Sequence, residues 1–318
     1  MRWPLTKYLP HHTKFRFVRL APVAAALSGL AIIASIVSFS TLHLNLGIDF
    51  AGGTLIEIQT PGPAPLALLR EDLGKIGVED PQVQGFGAAN AAMLRFKPPA
   101  GASPVEGVNR VKQRLAQMVP GIQFKKTETV GAKVSAELFK SGFIALAIAL
   151  SLMLIYIWFR FQLQFGLGAV VAIFHDIFLT LGVLSALQIE FSMTSIAGLL
   201  TVIGYSMNEK VITFDRLREN LRKYRRTPLR DVIDMSENER LSRTLITGST
   251  ALLALVGALF MGGDALFPLV FTMAFGIIVG TYSSIYVALP VILLWGVRRN
   301  DEPEPNPKAP PGSKARAA

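Results

Sequence analysis

Three polar residues interrupt an apolar stretch of the sequence. Asn208, Glu209 and Lys210 follow the mostly apolar run 194–207, and apolar residues continue to Phe214. An ionisable side chain near the centre of a membrane helix costs at least about 2.5 kcal/mol, so such residues usually serve a function. A carboxyl group buried there resists ionisation and can bind and release a proton near neutral pH. Glu209 is therefore a candidate for proton handling.

The face of the helix that carries Glu209 is expected to contact protein and not lipid. Its residues are small or polar and recur at helical spacing: Ala197, Gly198, Thr201, Tyr205, Asn208 and Glu209. Small residues allow another helix to approach closely, and polar side chains hydrogen-bond across such a contact.

A structural ion pair is the alternative explanation for Glu209. Lys210 is a poor partner because adjacent helix positions point about 100° apart, and we expect its side chain to reach back to the membrane surface. Arg243 opens the fifth apolar segment. It is either the partner of Glu209 or a cation at the membrane interface.

A second polar patch lies near the middle of the third apolar segment. His175 and Asp176 are adjacent there, and Thr180 follows one helical turn after Asp176. A proton relay and a hydrogen bond between helices are both open explanations. A metal site is not expected, because adjacent residues face different directions and no further ligands are visible. The chain has no cysteine and no phosphate-binding glycine motif, so we expect no cofactor.

Composition places most of the chain in a membrane. Of 318 residues, 51% are hydrophobic and only 17% are charged, against about 25% charged in soluble domains. Six stretches approach the length of about 20 residues that a membrane helix needs. We therefore expect a polytopic α-helical protein with transmembrane helices at about 21–42, 139–159, 165–187, 194–214, 244–263 and 267–297. The first is interpreted as an uncleaved anchor and not a signal peptide, because its apolar run is too long.

Basic residues in the short flanks predict the orientation. They concentrate in 1–20, in the basic stretch 215–243 and just after the sixth segment. Because such flanks stay cytoplasmic, both termini are predicted inside, and residues 43–138 outside. The basic stretch fits a surface of anionic lipid, and nucleic acid is not expected because aromatic platforms are lacking. The tail 298–318 has the composition of a disordered segment.

The outside segment reads as a small α+β domain. Alternating and helical patterns follow in the order β-α-β-β-α-β, the split βαβ or ferredoxin-like pattern. GIDFAGG opens the domain, with Gly47, Asp49, Gly52 and Gly53, and its paired glycines predict a tight turn or a close backbone approach. Within the membrane segments, Gly198, Gly204, Gly276 and Gly280 are candidate helix-packing positions.

Six motifs carry a resemblance to a known family. They are GIDFAGG at 47–53, HD at 175–176, TSIAGLLTVIGYSMNE at 194–209, FDRLREN at 214–220, LSRTLIT at 241–247 and GTYSS at 280–284. In type and order they resemble the SecD/SecF family of bacterial protein-export membrane subunits. The single small outside domain is similar to the SecF branch, because SecD has a larger outside region.

This resemblance implies a fold and a function. It implies a resistance-nodulation-division type fold in the bacterial inner membrane that pairs with SecD beside the SecYEG channel, with YajC and YidC as further partners. The implied function is late-stage export of a preprotein driven by the proton gradient, with protons as coupling ion and no enzymatic step.

Asn208 and Glu209 match a family motif that usually reads Asn-Asp, and Arg243 matches its proposed charge partner. Two other functions stay open: a scaffold that only stabilises SecD and the channel, and a half-transporter for lipids or small molecules.

Overall fold

A computed structural model describes residues 13–86, 88–97, 104–261 and 266–296. The predictions for the tail 298–318, for most of the segment 1–20 and for the turn 262–265 lie outside the described residues. The helices are α1 Phe17–Thr41, α2 Ile48–Ala51, α3 Leu66–Lys75, α4 Pro104–Met118, α5 Ala132–Arg160, α6 Leu163–Ala186, α7 Met193–Lys223, α8 Leu229–Met261, α9 Phe267–Ser283 and α10 Leu289–Trp295. The strands are β1 Gly53–Gln59, β2 Glu79–Phe86, β3 Ala88–Lys97 and β4 Gln123–Val130.

Long helices hold the described parts of all six predicted membrane segments. By length and composition, 5 helical stretches are apolar enough to cross a membrane: Phe17–Thr41, Ala132–Arg160, Leu163–Ala186, Leu229–Leu259 and Phe267–Trp295. The predicted fourth segment lies in α7, which is not among these five. Its central Asn208, Glu209 and Lys210 lower the average hydropathy of that helix.

The helices on the basic side continue well beyond the apolar segments. α7 runs on to Lys223 and α8 begins at Leu229, so most of the basic stretch 215–243 is helical. Ser236 lies inside α8, where its hydroxyl donates to the Val232 carbonyl at 2.7 Å and accepts from the Asn220 amide at 3.0 Å. The bond between Asn220 and Ser236 joins the C-terminal end of α7 to the first turns of α8.

The last membrane stretch changes its helix type where α9 meets α10. A π-helical turn, Ser284–Ala288, joins the two helices just before Pro290. Proline lacks an N–H group and its ring clashes with the carbonyl four residues earlier, so the regular helix cannot continue through it. The widened turn leaves Ser283 and Ser284 buried between the helices. Such π turns often occur at functional sites.

The outside domain is a two-layer α+β unit. Its 4-stranded sheet has the order β2-β3-β1-β4, and neighbouring strands are antiparallel. The elements follow in the predicted order β-α-β-β-α-β. One face of the sheet packs on α3 and α4 through a buried core that includes Ile56, Leu94, Phe96, Leu73 and Leu115. This core stabilises the outside domain separately from the membrane helices.

Small residues bring α7 and α9 into close contact. A Cβ atom on Gly198 would lie 3.0 Å from Thr272, and one on Gly280 would lie 3.0 Å from Ser206. Gly276 faces Val202 in the same way. These three glycines therefore lie at close contacts between α7 and α9. At Gly204, nothing within this chain lies within 4 Å of a Cβ built there, and the residue is exposed.

The paired glycines of GIDFAGG have the backbone geometry that their type predicts. Gly52 has φ +69° and Gly53 has φ +105°, a region that favours glycine. A Cβ on Gly53 would lie 2.8 Å from the backbone oxygen of Phe96 on β3. The position therefore needs glycine both for its φ angle and for the close approach of two strands.

We predict that Gly53→Ala destabilises the protein by about 1–3 kcal/mol, because strain is added to a backbone clash that no side chain can relieve. Thermal unfolding of the purified chain in detergent measures the loss. Gly62→Ala is the matched control, since nothing lies within 4 Å of its Cβ position. Equal midpoints for the two variants would contradict the requirement at Gly53.

Candidate functional site: two buried charge centres

The first centre is built around Glu209 and Arg240. Glu209 is 1% exposed, and its Oε2 lies 3.4 Å from a guanidinium nitrogen of Arg240. Thr244 bridges the pair, because it accepts from Arg240 at 2.7 Å and donates to Glu209 at 3.1 Å. Arg240 also donates to the Ser284 hydroxyl at 3.0 Å, so α7, α8 and the π-helical turn meet at one guanidinium group.

A second carboxylate, Glu237, holds the same guanidinium group. Arg240 Nε donates to both of its oxygens at 2.8 Å, and Glu237 is buried to the same degree as Glu209. Glu237, Arg240 and Thr244 recur on one face of α8, at spacings of three and four residues. That spacing is visible in the sequence, but Glu237 and Arg240 fall in the predicted basic stretch 215–243, and Thr244 falls at the start of the fifth predicted segment.

Of the two open explanations for Arg243, the pair with Glu209 does not occur: Arg240 is the partner of Glu209. The Arg243 side chain is exposed on α8, which fits the other explanation, a cation outside the bundle. Sequence reasoning placed the entry of the fifth segment at Arg243, whereas α8 begins at Leu229 and buries the face that carries Arg240.

The second centre joins Asp176 of α6 to Lys210 of α7. Lys210 Nζ lies 2.9 Å from Asp176 Oδ2 and donates to the Ser206 and Ser283 hydroxyl groups at 2.5 and 3.0 Å. Both serines also donate to Asp176, at 2.5 and 2.8 Å. Every charge in this centre is paired and hydrogen-bonded, as burial in a membrane protein requires.

Lys210 does not extend to the membrane surface, and that prediction is wrong. Its side chain is 0% exposed. The prediction that Lys210 does not pair with Glu209 is confirmed, since the two side chains bond to different helices. A nearby carboxylate on α6 offers the ammonium group a stronger partner than water at the end of a stretched side chain. The sequence contained both residues but not the contact between α6 and α7.

His175 extends the second centre towards α1. Its Nδ1 lies 3.0 Å from Asp176, and its Nε2 lies 3.1 Å from the Ser28 hydroxyl. Tyr282 stacks on the imidazole ring and bonds Ser28 and the Ala24 carbonyl at 2.9 and 2.8 Å. His175 and Asp176 therefore contact each other as well as neighbouring helices, and the expected hydrogen bond between helices is observed.

The two centres are joined through the chain itself. Glu209 and Lys210 are neighbours on α7, and Ser283 and Ser284, which bond the two centres, are neighbours where α9 ends. A shift of α7 or of the π-helical turn would therefore move groups of both centres together.

One side of α7 faces away from both centres. Thr194, Ala197, Thr201, Gly204 and Asn208 are exposed and recur along that side. The prediction that Asn208 and Glu209 share one contact face is wrong, because Glu209 points into the bundle and Asn208 points out. Tyr205 lies between the two sides. Its buried hydroxyl has no hydrogen-bond partner among the described residues.

The GIDFAGG segment connects the outside domain to the start of α7. Asp49 Oδ2 accepts from the backbone N–H of Met193 at 3.0 Å, which satisfies one of the free donors at that helix N-terminus. Gly47 N–H donates to the Phe191 carbonyl at 2.9 Å, and Phe191 N–H donates to Asn45 at 2.8 Å. A Cβ on Gly47 would lie 2.5 Å from the Glu190 carboxylate, so a larger residue there would displace that side chain.

An ion pair supports the same junction. Arg95 of β3 lies 3.1 Å from Glu190, in the turn between α6 and α7, and donates to the Leu46 carbonyl at 2.7 Å. Burial raises the pKa of the Glu190 carboxyl, while Arg95 opposes that shift. The outside domain is thus docked by charge and backbone bonds at the end of the helix that carries Glu209 and Lys210.

This arrangement defines a class of protein before any comparison is made. Membrane-type helices enclose two ionic centres, and a small α+β domain is docked on one end of the bundle. No group of three or more metal-ligating acids, histidines or cysteines occurs among the described residues. The class is a polytopic membrane protein with two buried ionic centres inside its helix bundle.

Comparison with known proteins identifies the family. The model of the protein export membrane protein SecD/SecF C-terminal family matches residues 110–298, and that of the SecD/SecF GG motif matches 37–60. The chain therefore belongs to the SecD/SecF family, in its SecF branch. The GG-motif match includes the GIDFAGG segment, whose Gly47 and Asp49 make the junction described above.

Individual relatives agree with this assignment. The chain is 43% identical to the protein translocase subunit SecF of Cereibacter sphaeroides, over 92% of this chain and 93% of the relative. It is 40% identical to that of Rhodobacter capsulatus, over 93% of each chain. The crystal structure of SecDF from Thermus thermophilus, a translocon-associated membrane protein, superposes with a TM-score of 0.82 at 30% identity. That match covers 93% of this chain but 40% of SecDF.

We predict that Lys210→Met destabilises the protein by about 3–5 kcal/mol, because it leaves Asp176 as a buried charge without its cation. Combining it with Asp176→Asn should recover most of this loss, since no buried charge is then unpaired. Thermal unfolding in detergent measures the two single variants, Lys210→Met and Asp176→Asn, and the double variant. Lys223→Met, on the exposed end of α7, is the control. Additive losses in the double variant would show that the two residues are not coupled.

We also predict that Asp49→Ala loosens the first turn of α7, at a cost of about 0.5–2 kcal/mol for the lost cap. Hydrogen exchange of the backbone amides of Met193–Ile196, read by mass spectrometry, should become faster. Asp49→Asn keeps an acceptor oxygen and should exchange nearly as the unmodified protein does. The control is Asp80→Ala, an exposed aspartate of the same domain. Unchanged exchange in Asp49→Ala would show that Asp49 does not stabilise the first turn of α7.

Proposed function

We propose that this chain is the SecF subunit of a bacterial protein translocase and that it uses the proton gradient to promote late-stage export of preproteins. Its family membership and its similarity to SecF subunits support the translocase assignment. The two buried charge centres support the proton-driven step. The protein then acts as a coupling subunit without an enzymatic step, and the proton is its coupling ion.

The main support for the proton role is that buried carboxylates outnumber buried cations in the two centres. Three carboxylates, Glu209, Glu237 and Asp176, face two cations, Arg240 and Lys210. Lys210 balances Asp176, which leaves two acids on one guanidinium group. A buried charge without a counter-charge is costly, so a proton shared by Glu209 and Glu237 is favoured. Binding and losing that proton changes the net charge at the meeting point of α7, α8 and the π-helical turn.

Protonation of Glu209 weakens its bond to Arg240 and so changes what holds these elements together. Arg240 can then bond more fully to Glu237 and Ser284, and α7 is free to shift against α8. Because α7 begins at the junction with Asp49 and Phe191, its movement reaches the outside domain. A proton that crosses with the membrane potential releases about 2.3 kcal/mol per 100 mV, enough to bias such a switch. Asp176 and His175 are placed to relay protons beside it.

The exposed small and polar side of α7 supports pairing with SecD. Thr201, Gly204 and Asn208 would be poorly placed against lipid, whereas small residues and an amide suit contact with another helix. SecDF of Thermus thermophilus is one chain of which the present chain covers 40%. We assign this side of α7, which includes Gly204, to the SecD contact.

The remaining parts of the proposal concern membrane and partners. We place the chain in the inner membrane with six spanning helices, α7 included, both termini cytoplasmic and a ferredoxin-like domain at about 43–138 outside. SecYEG, YajC and YidC are the proposed further partners, and the basic stretch 215–243 is proposed to face anionic lipid. The translocating preprotein would meet the outside domain.

We predict that Glu209→Gln abolishes the part of preprotein export that depends on the proton gradient, because a neutral amide cannot exchange a proton. Glu209→Asp keeps the carboxyl group and should retain part of the activity. Export into inverted membrane vesicles, with and without the gradient, measures the effect. Glu219→Gln is the matched control, because Glu219 is an exposed glutamate farther along α7.

Co-purification with SecD separates the proposed function from its alternatives. If Glu209→Gln exports as the unmodified protein does while the complex stays assembled, the proton role is wrong. If the complex falls apart, a scaffold that stabilises SecD and the channel is favoured. Export of lipids or small molecules by vesicles that contain the chain, without preprotein export, would favour a half-transporter.

A further inference from the structure

An apolar groove runs between the end of α5 and the start of α6. It has a volume of about 420 Å³ and opens to the outside of the bundle. Apolar and aromatic side chains form most of its lining, among them Leu154, Trp158, Phe161, Leu163, Leu167 and Val170. Trp158 is 70% exposed. The groove lies between two helices that are long and apolar enough to cross a membrane.

Two guanidinium groups lie at one end of this groove. Those of Arg160 and Arg218 lie 4.9 and 5.6 Å from the centre of the Phe161 ring, which itself lines the groove. Arg160 is paired with Asp215 at 2.9 Å. Arg218 has no ion-pair partner among the residues that the structure describes. One of the two positive charges at the groove mouth is therefore uncompensated.

We propose that this groove is a binding site for one anionic glycerophospholipid. An acyl chain would lie between α5 and α6, along Leu154 and Leu167, and the phosphate would sit between Arg160 and Arg218. The apolar lining matches a hydrocarbon chain, and the charged mouth matches an anionic headgroup. Trp158 has the position that tryptophan favours, at the boundary between the acyl chains and the headgroups.

The charge distribution selects this occupant over others. A zwitterionic lipid would fill the groove but leave Arg218 without net compensation. A helix of a partner protein would need an acid at the same level to balance that arginine. The inference depends on the placement of α5 and α6 in a membrane, and it does not depend on the proton role.

Trp158 allows a direct test in the full-length chain. The chain has three tryptophans, so Trp3→Phe and Trp295→Phe leave Trp158 as the single fluorophore. The protein is reconstituted in vesicles that contain either brominated phosphatidylglycerol or brominated phosphatidylcholine, matched in chain length and position. Bromine quenches tryptophan fluorescence on contact, so the quenching reports which lipid occupies the groove. The matched control keeps Trp295, an exposed residue of α10, and replaces Trp3 and Trp158.

We expect brominated phosphatidylglycerol to be about fivefold enriched over phosphatidylcholine at Trp158, the preference that one basic side chain near the membrane surface provides. Trp295 should show the same quenching by both lipids. Equal quenching by both lipids at Trp158 would mean that the groove accepts any acyl chain, which overturns the anionic site. Quenching of Trp158 below that of Trp295 would mean that protein covers the groove, which also overturns it.

Arg218 provides the second arm of the test. Arg218→Gln should abolish the preference for phosphatidylglycerol at Trp158, and Arg218→Lys should retain it. Arg222→Gln removes an exposed arginine one turn farther along α7 and should leave the preference unchanged. If Arg218→Gln keeps the full preference, the assignment of the headgroup to Arg218 is wrong.

Discussion

The membrane part of this structure depends on one guanidinium group that two carboxylates share. Arg240 bonds Glu237 on its own helix, Glu209 on α7 and Ser284 in the π-helical turn. Ionic groups in a low-dielectric interior must be paired, and pairing here fixes the positions of three elements. The π-helical turn brings Ser284 within reach of Arg240, and the close approach of Gly280 to Ser206 lies beside the bonds of Ser206 to Lys210 and Asp176.

Both charge centres use adjacent residues of the same two elements, and this has a mechanical consequence. α7 supplies Glu209 to the centre around Arg240 and Lys210 to the centre around Asp176. Where α9 ends, Ser284 bonds Arg240 and Ser283 bonds Lys210. One centre is balanced in charge and the other holds an extra carboxylate. In the proposed mechanism, a proton would change the centre with the extra carboxylate, while the balanced pair of Asp176 and Lys210 would keep α6 and α7 together.

The sequence predicts much of the fold because hydrophobic length and periodicity are local properties. The described parts of the six apolar segments lie in helices, and the outside domain has the predicted order of strands and helices. Glu209 and Asp176 were also recognised from local context. The pairing of charges was not, because it depends on which helices are neighbours. The prediction for Lys210 is wrong for this reason, since it bonds to Asp176 on α6, and the choice of Arg240 as the partner of Glu209 depends equally on how α7 and α8 pack.

In the GIDFAGG segment, Asp49 links the outside domain to α7, a role separate from that of the glycines. Gly52 and Gly53 shape the entry into β1, but Asp49 bonds the first residue of α7. Met193 and Glu209 are separated by about 24 Å along a helix that rises 1.5 Å per residue. A hydrogen-bonded helix is stiff over that length, so a shift at Glu209 moves its capped end as well. In the proposed mechanism, the outside domain would therefore respond through α7 to a charge that it does not contact.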